Sequence, residues 1–247
     1  MSFWHLPRIP EPEQMDSAEE VQSYSSAAAE QHLADIDKTF VEHLLRLLPW
    51  ESLPLEHPAW ALDIGSGPAQ IPVMILRRAP GIRIVALDRF PNMLACARQN
   101  AEQAGVYERL TLIRADGHVL PFPDHAFSIV TCNSVLHHAA DPVQLLREIF
   151  RVATPGGAVL VRDLRRPARP LLAYHLWRHG RHYSGPMRRL FNASVGAAYT
   201  IDELAAMLSE VAAGHARVFR YRGAHLGIER AARKKSEPRA SASGQCS

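Results

Sequence analysis

From Ala59 onward, short apolar runs alternate with longer amphipathic stretches. The segments "AWALDI" (59–64), "IRIVALD" (82–88), "LTLIRAD" (110–116), "AFSIVTCN" (126–133) and "GAVLVRDL" (157–164) have the length and hydrophobicity of buried strands. Between them, "IPVMILRRAP", "PNMLACARQNAEQAG" and "DPVQLLREIFRVA" read as helices, with Pro72 and Pro91 in positions a first helical turn tolerates. Strands alternating with helices, bounded by Gly and Pro, predict an α/β fold: a mostly parallel sheet covered on both faces.

The ends of the chain depart from this rhythm. Residues 1–20 carry prolines and acids and read as an extended arm entering a short helix near Ala18. In 35–50, Ile36, Phe40, Leu44 and Leu47 share one helical face, and Pro49 suits its end. Residues 1–50 are therefore expected to be an arm and helical cap, 51–230 the main domain, and 231–247 a disordered polar tail. Residues 164–199 interrupt the alternation as an insertion, with helices expected near 170–179 and 186–198. "TIDE" then offers a capping box, Thr200 with Glu203. "ARVFRYRGAHLGIERA" reads as two strands around Arg222–Gly223, able to pair antiparallel at the sheet edge.

Composition narrows the class. The 247 residues are 47% hydrophobic, enough for one sizeable core. A formal charge of +3 does not by itself indicate nucleic-acid binding. No 18-residue apolar run or secretory leader is evident, and Cys96, Cys132 and Cys246 suit neither a disulfide framework nor a zinc site. A cytoplasmic location is the expectation.

In an open α/β sheet, ligands collect at the carboxyl ends of the strands. Four predicted strand ends carry a polar residue: Asp63, Asp88, Asp116 and Asn133. In "DIGSG", Gly65 and Gly67 let the backbone turn tightly and approach a ligand. The helix that follows presents free N–H groups to a carboxylate or phosphate. Asp63 could meet an ammonium, and Asp88 could accept bonds from two ribose hydroxyls or simply cap a helix. Asp116 and Gly117 could meet an adenine edge or form an ordinary acidic turn. Met93 could pack on an adenine face or be core. Asn133 could border the glycine loop or hold a turn.

Taken in order, "LDIGSGPAQIP", "IVALDRF", "IRADGHVLPFPDHAFSIVTCNSVLHHAADP" and "LREIFRVATPGGAVLVRDL" closely resemble the class I S-adenosylmethionine-dependent methyltransferases, in particular their small-molecule branch. The resemblance covers about residues 59–163. It implies a three-layer Rossmann-like sheet of seven strands, order 3-2-1-4-5-7-6, strand 7 antiparallel. It implies S-adenosylmethionine as cofactor, with S-adenosylhomocysteine as product. Asp63, Gly65 and Gly67 would surround its amino-acid part and Asp88 its ribose. Asp116, Gly117 and Met93 would address adenine, and Asn133 the methionine portion. Ala69 stands where the family often has a third glycine. Tyr24 could close over the cofactor or be a packing residue.

Transfer from a sulfonium needs an acceptor held in line behind the methyl group, so proximity and orientation carry much of the acceleration. His137 and His138, in "SVLHHAADP", could orient that acceptor or take its proton, or fix the loop. Asp163 could orient an arginine or meet the acceptor. His-His near Cys132 lacks an acid ligand, so no metal is expected. The insertion offers Arg165, Arg166, Tyr174, Trp177, His182 and Tyr183 to an anionic or aromatic acceptor. The expected partner is a small molecule, with neither nucleic acid nor membrane. Two competing readings are a nucleic-acid methyltransferase and a non-catalytic partner protein that keeps the cofactor pocket. Against the first, "NSVLHH" lacks the Asn-Pro-Pro-aromatic pattern of many base N-methylating enzymes.

Overall fold

The computed structural model describes residues 4–11, 31–48 and 59–233. Tyr24, Pro49 and the tail from 234 lie outside the described residues. In chain order, the elements are α1 (Gln31–Leu47), β1 (Ala59–Ile64), α2 (Gln70–Arg78), β2 (Ile82–Asp88), α3 (Pro91–Gln103), β3 (Leu110–Arg114) and β4 (Phe127–Asn133). There follow α4 (Pro142–Val152), β5 (Ala153–Leu164), α5 (Leu172–Gly180), α6 (Gly185–Ala197), α7 (Ile201–Ser209), β6 (Arg217–Tyr221) and β7 (His225–Arg230).

The seven strands form one sheet in the order β3-β2-β1-β4-β5-β7-β6. The first five pair in parallel, and β7 runs antiparallel to both β5 and β6. The chain reverses direction from β1→β2→β3 to β1→β4→β5, so the crevice between the β1 and β4 ends is the topological switch point where such sheets bind ligands.

Alternation along each strand splits the core into two layers. On one face, Ala61, Ile84, Ile129 and Leu160 pack with Phe40, Val41 and Leu44 of α1 and Ile75 and Leu76 of α2. On the other, Leu62, Leu87, Val130 and Val161 pack with Leu145, Leu146 and Ile149 of α4 and Leu204 of α7. The capping box forms: Glu203 N donates to Thr200 Oγ1 at 3.3 Å, and Thr200 N donates to Glu203 Oε2 at 2.8 Å.

Several boundaries differ from the sequence pattern by a residue or more, three of them with a clear physical setting. Strand β5 begins at Ala153 rather than Gly157, because it follows α4 directly and absorbs a register shift against Phe127–Ile129. A Cβ on Gly157 would stand 2.5 Å from Thr154 Oγ1, so glycine lets this irregular stretch pack. Strand β3 ends at Arg114, two residues early, where Asp116 turns the chain by accepting from His118 N at 2.8 Å. Helix α1 starts at Gln31, before the stripe used to predict it. The methyl of Ala69 is fully buried at a φ of 59°, a left-handed conformation that glycine adopts more readily.

Candidate active site at the sheet crest

The carboxylate of Asp63 points to the α1–α2 side of the sheet, in the same register as Ala61 below it. Thr131 Oγ1 donates to Asp63 Oδ1 at 2.6 Å. Burial dominates its electrostatics and pushes its pKa up to about 7, against the Thr131 bond and with help from Asp37 and Asp88. Asp37, reaching in from α1, is pushed up to about 6 by burial, partly offset by Arg162. Both acids line a cavity of about 50 Å³ with Gly65, Ser66, Gly67 and Asn133.

The glycines set the shape of this cavity. Gly65 has a φ of 66° and Gly67 of 51°. A Cβ at Gly65 would lie 2.3 Å from Val135 Cγ2, so the first loop and the loop after β4 touch there. Gly67 N donates to Asp88 Oδ2 at 2.8 Å, and Phe90 N to Oδ1 at 2.9 Å. Burial raises the Asp88 pKa, while these backbone bonds hold it down. The hydroxyl of Ser66 is buried without a hydrogen-bond partner.

Arg162 ties helix α1 over this crevice. Fully buried, it donates to Asn133 Oδ1 at 3.1 Å, Thr39 Oγ1 at 2.9 Å and the Ile36 carbonyl at 3.1 Å. Its guanidinium also lies 4.9 Å from the Phe40 ring centroid. Burial lowers its pKa to about 10, while Asp37 opposes that shift.

Asp163, the next residue, faces the opposite side of the sheet. Its Oδ2 accepts from His137 N at 2.8 Å, and its Oδ1 lies 2.6 Å from His137 Nδ1. Both residues are buried. Burial pulls the His137 pKa down, but Asp163, with help from Glu11, holds it above its ordinary value. The Asp163 carboxyl is held low: burial would raise it, and His137 outweighs that. His137 Nε2 is buried without a hydrogen bond, 3.9 Å from Glu11 Oε2. His138 Nδ1 is likewise unpartnered, 3.8 Å from the same oxygen. Burial, then the neighbouring His137, lowers the His138 pKa to about 4, so its ring is neutral. Ser194 Oγ fixes Glu11 at 2.9 Å, and Arg8 reaches the carbonyls of His137 (2.7 Å) and Ala197 (2.6 Å).

Ligand atoms of Glu11, His137 and His138 lie within 4.8 Å of one another, so these three side chains could also surround a cation. Glu11 is the acid that the sequence pattern lacked. An imidazolium between Asp163 and Glu11 satisfies the same carboxylates with a proton.

The structure thus brings Asp63, Gly65, Gly67, Asp88 and Asn133 together, and His137, His138 and Asp163 beside them. Gly117 packs where a Cβ would stand 2.9 Å from Leu145 Cδ1. Asp116 is half exposed and held by His118, whose backbone N–H does most to keep its pKa low. Met93 is buried in the first turn of α3. The insertion residues do not converge on the crest. Arg166, expected as an anion clamp, has an internal job instead: it bonds the Ala198 carbonyl at 2.9 Å and Glu203 Oε1 at 2.5 Å. Arg165 is committed to the Gly223 carbonyl. Tyr174 and Trp177 are exposed. His182 stacks on His32 at 4.4 Å and Tyr183 sits edge-on to it, both at the start of α1.

Asp37, Glu11, Ser66 and Arg8 were missed. Asp37 had a signal: it stands one turn before Val41 and two before Leu44 on the buried face of α1, an acid on an apolar stripe. Glu11 and Arg8 had none, because the arm reaches the site only through tertiary contact. A larger hollow of about 750 Å³ lies over Leu94, Arg98, Tyr107 and Leu112 at the β3 edge. It gathers no buried acid or histidine and is not the site.

A mixed seven-stranded sheet with this order, a glycine bend after β1 and buried acids at the β1 and β2 ends defines a class I S-adenosylmethionine-dependent methyltransferase fold. Residues 62–161 match the family model described as a methyltransferase domain, which together with the sheet order supports a class I S-adenosylmethionine-dependent methyltransferase. It is similar to the demethylmenaquinone methyltransferase of Thermus thermophilus, 39% identical over 110 residues (44% of this chain, 49% of the relative). It is similar also to the ubiquinone/menaquinone biosynthesis C-methyltransferase UbiE of Dinoroseobacter shibae, 33% identical over 118 residues (47% of each). The chain spans about half the length of these curated relatives. A structure from Methanococcus maripaludis assigned to the same methyltransferases superposes with a TM-score of 0.66 at 17% identity, covering 93% of this chain and 99% of its own. The superfamily's cofactor is S-adenosylmethionine. The cavity suits its cationic end: buried acids lack a full countercharge, and the Ser66 hydroxyl lacks a partner. No helix among the described residues is long and apolar enough to cross a membrane.

Proposed function

We propose that this chain transfers a methyl group from S-adenosylmethionine to a small aromatic acceptor bearing an ionisable hydroxyl, of the quinol class. The observation that carries the reading is the Asp163–His137 pair, whose outer nitrogen is buried, unbonded and turned toward Glu11 beside the glycine crevice. The quinone-methylating names of the similar proteins point to the same acceptor chemistry.

Asp63 and Asp37 hold the cofactor's ammonium, the loop at Gly65–Gly67 its carboxylate, and Asp88 its ribose hydroxyls. The bound cofactor supplies a methyl group on a positively charged sulfur, an electrophile that needs no further activation. Asp163 Oδ1 keeps the proton of His137 on Nδ1, which leaves Nε2 free to accept one. Nε2 takes the hydroxyl proton of the acceptor, and the resulting imidazolium rests between Asp163 and Glu11. Loss of that proton drives electron density into the ring, making the carbon ortho to the oxygen nucleophilic; that carbon takes the methyl as the sulfur–methyl bond breaks, and its ring hydrogen shifts to the oxygen, restoring the aromatic hydroxyl while the proton on His137 leaves to solvent. His138, neutral, lines the acceptor side. Arg8 and Glu11 bring the arm over the histidines and exclude water.

Incubation with methyl-labelled cofactor and a demethylated naphthoquinol, read by mass spectrometry of the product, tests this. One S-adenosylhomocysteine per methylated quinol is expected. Label entering RNA and not the quinol would assign a nucleic-acid acceptor. No product from any quinol or phenol, with S-adenosylhomocysteine still bound, would leave the partner-protein reading.

A further inference from the structure

Helix α5 is turned unusually for its sequence. Its interior positions go to His175, 4% exposed, and to Gly180, buried against Phe191. Its outer face carries Tyr174 at 60% and Trp177 at 57% exposure, preceded by Leu171 at 52%. Tyr174 and Trp177 sit 5.9 Å apart, ring to ring. Arg169 N donates to the Trp4 carbonyl at 2.7 Å, which holds the arm beside the start of this helix, and Trp4 is 69% exposed. Four of the eight large exposed hydrophobics in the described residues thus belong to this helix, its lead-in and the arm bonded to it. Scattered apolar side chains on a surface need no explanation; a paired tyrosine and tryptophan with an exposed leucine one turn before and a further exposed tryptophan on the adjoining arm do.

The charge around the group says what covers it. Seven arginines and no acid stand between Asp163 and Asp202. Arg165, Arg166 and Arg188 are spent on backbone carbonyls. Arg169, Arg178, Arg181 and Arg189 remain exposed. Aromatic rings with polar tips, an aliphatic side chain and exposed arginines on and around α5 match the layered chemistry of an anionic lipid surface: acyl chains, glycerol level, then phosphate. A second copy of the chain fits poorly, because a two-fold contact sets this cationic face against itself.

We propose that the outer face of α5, with Trp4, docks this protein peripherally on an anionic membrane. This rests on the quinol reading for its purpose, since an apolar acceptor partitions into lipid and the arm that carries Trp4 also carries Glu11 to the histidines.

Vesicle flotation of the full chain tests the proposal. Vesicles of phosphatidylcholine with about one-third phosphatidylglycerol are compared with pure phosphatidylcholine. Binding is expected to the anionic vesicles and to fall as salt rises. The double variant Tyr174→Ala/Trp177→Ala should bind about tenfold more weakly or worse. Arg178→Glu/Arg181→Glu should lose the preference for anionic lipid, each arginine contributing about fivefold. Far-UV circular dichroism and S-adenosylhomocysteine affinity, unchanged in both variants, show that the fold and cofactor site persist. The proposal is overturned if the native chain floats with neither vesicle, or floats equally with both at every salt concentration. It is also overturned if the aromatic variant floats like the native chain, or if light scattering shows a dimer that the aromatic variant dissolves, which gives the face to a second copy. Retention of RNA by the native chain without any binding to lipid likewise overturns it. Methyl transfer to a short, water-soluble quinol is measured separately, so failure of the acceptor reading is distinct from failure of docking.

Discussion

Replacement of Asp63 by asparagine should stabilise the free protein and cripple its cofactor site. Asp63 is fully desolvated, and burial pushes its folded pKa up to about 7 from the ordinary aspartate value near 3.8. Because the folded pKa is raised, the native state binds the extra proton between about pH 4 and pH 7, and stability falls as pH climbs through that window. At about 1.4 kcal/mol per unit, ionising Asp63 costs up to about 4 kcal/mol above pH 7. Asparagine cannot ionise, yet it keeps an oxygen to accept the Thr131 hydroxyl. Structural relaxation and water entry reduce the gain, and about half of it corresponds to a rise in Tm of about 4–8 °C for a chain of this size. Thermal melts of native protein and Asp63→Asn at pH 5 and pH 8 read the difference directly. The variant should melt several degrees higher at pH 8, and higher by about two-fifths of that margin at pH 5, where the loss has only begun. Saturating S-adenosylhomocysteine should reverse the pH 8 order, because its ammonium stabilises the native carboxylate. Calorimetry at pH 6 in buffers of different ionisation enthalpy should show proton release on binding by the native protein, and less by the variant. If Asp63→Asn melts lower than native at pH 8 without ligand, burial is not what raises this acid, and its pairing with a ligand cation is the wrong account of the cavity.

Asp88→Ala removes two potential acceptors for ribose hydroxyls and the partner of Gly67 N; S-adenosylhomocysteine affinity should fall by roughly 1–3 kcal/mol, and an unchanged Kd excludes that placement. His137→Gln and Asp163→Asn should each cut the rate of quinol methylation by about 10²–10⁴ at saturating cofactor, whereas His138→Ala should act mainly on acceptor KM; equal small effects from all three would remove His137 as the base. Gly65→Ala forces a left-handed alanine against Val135 and should cost about 2 kcal/mol or more in urea unfolding. Adding Val135→Ala should recover the steric part of that loss and leave the backbone part, and strict additivity of the two substitutions would show that they do not touch.

The apolar periodicity of the chain already determined the strands, their alternation with helices and the polar residue at each strand end. "AWALDI" and "IRIVALD" have the observed bounds, because runs bracketed by Gly and Pro admit few other structures. The capping box at Thr200 is similarly local, involving residues three apart. Strand order came from the family resemblance of the motifs, since no pattern within one strand names its neighbours. What tertiary structure alone decided is who meets at the crest. Asp163 and Arg162 are adjacent in sequence, yet alternation sends one to His137 and the other to helix α1, on opposite faces of the same sheet crest. Asp37 and Glu11 reach those sites across 26 and 126 residues of chain, counted to Asp63 and His137. Arg166 looked like its exposed neighbours in an arginine-rich stretch, and only folding sent it inward to Glu203. Local sequence fixes backbone propensity and the face a side chain takes; long-range packing fixes its partners, and chemistry at a site depends on partners.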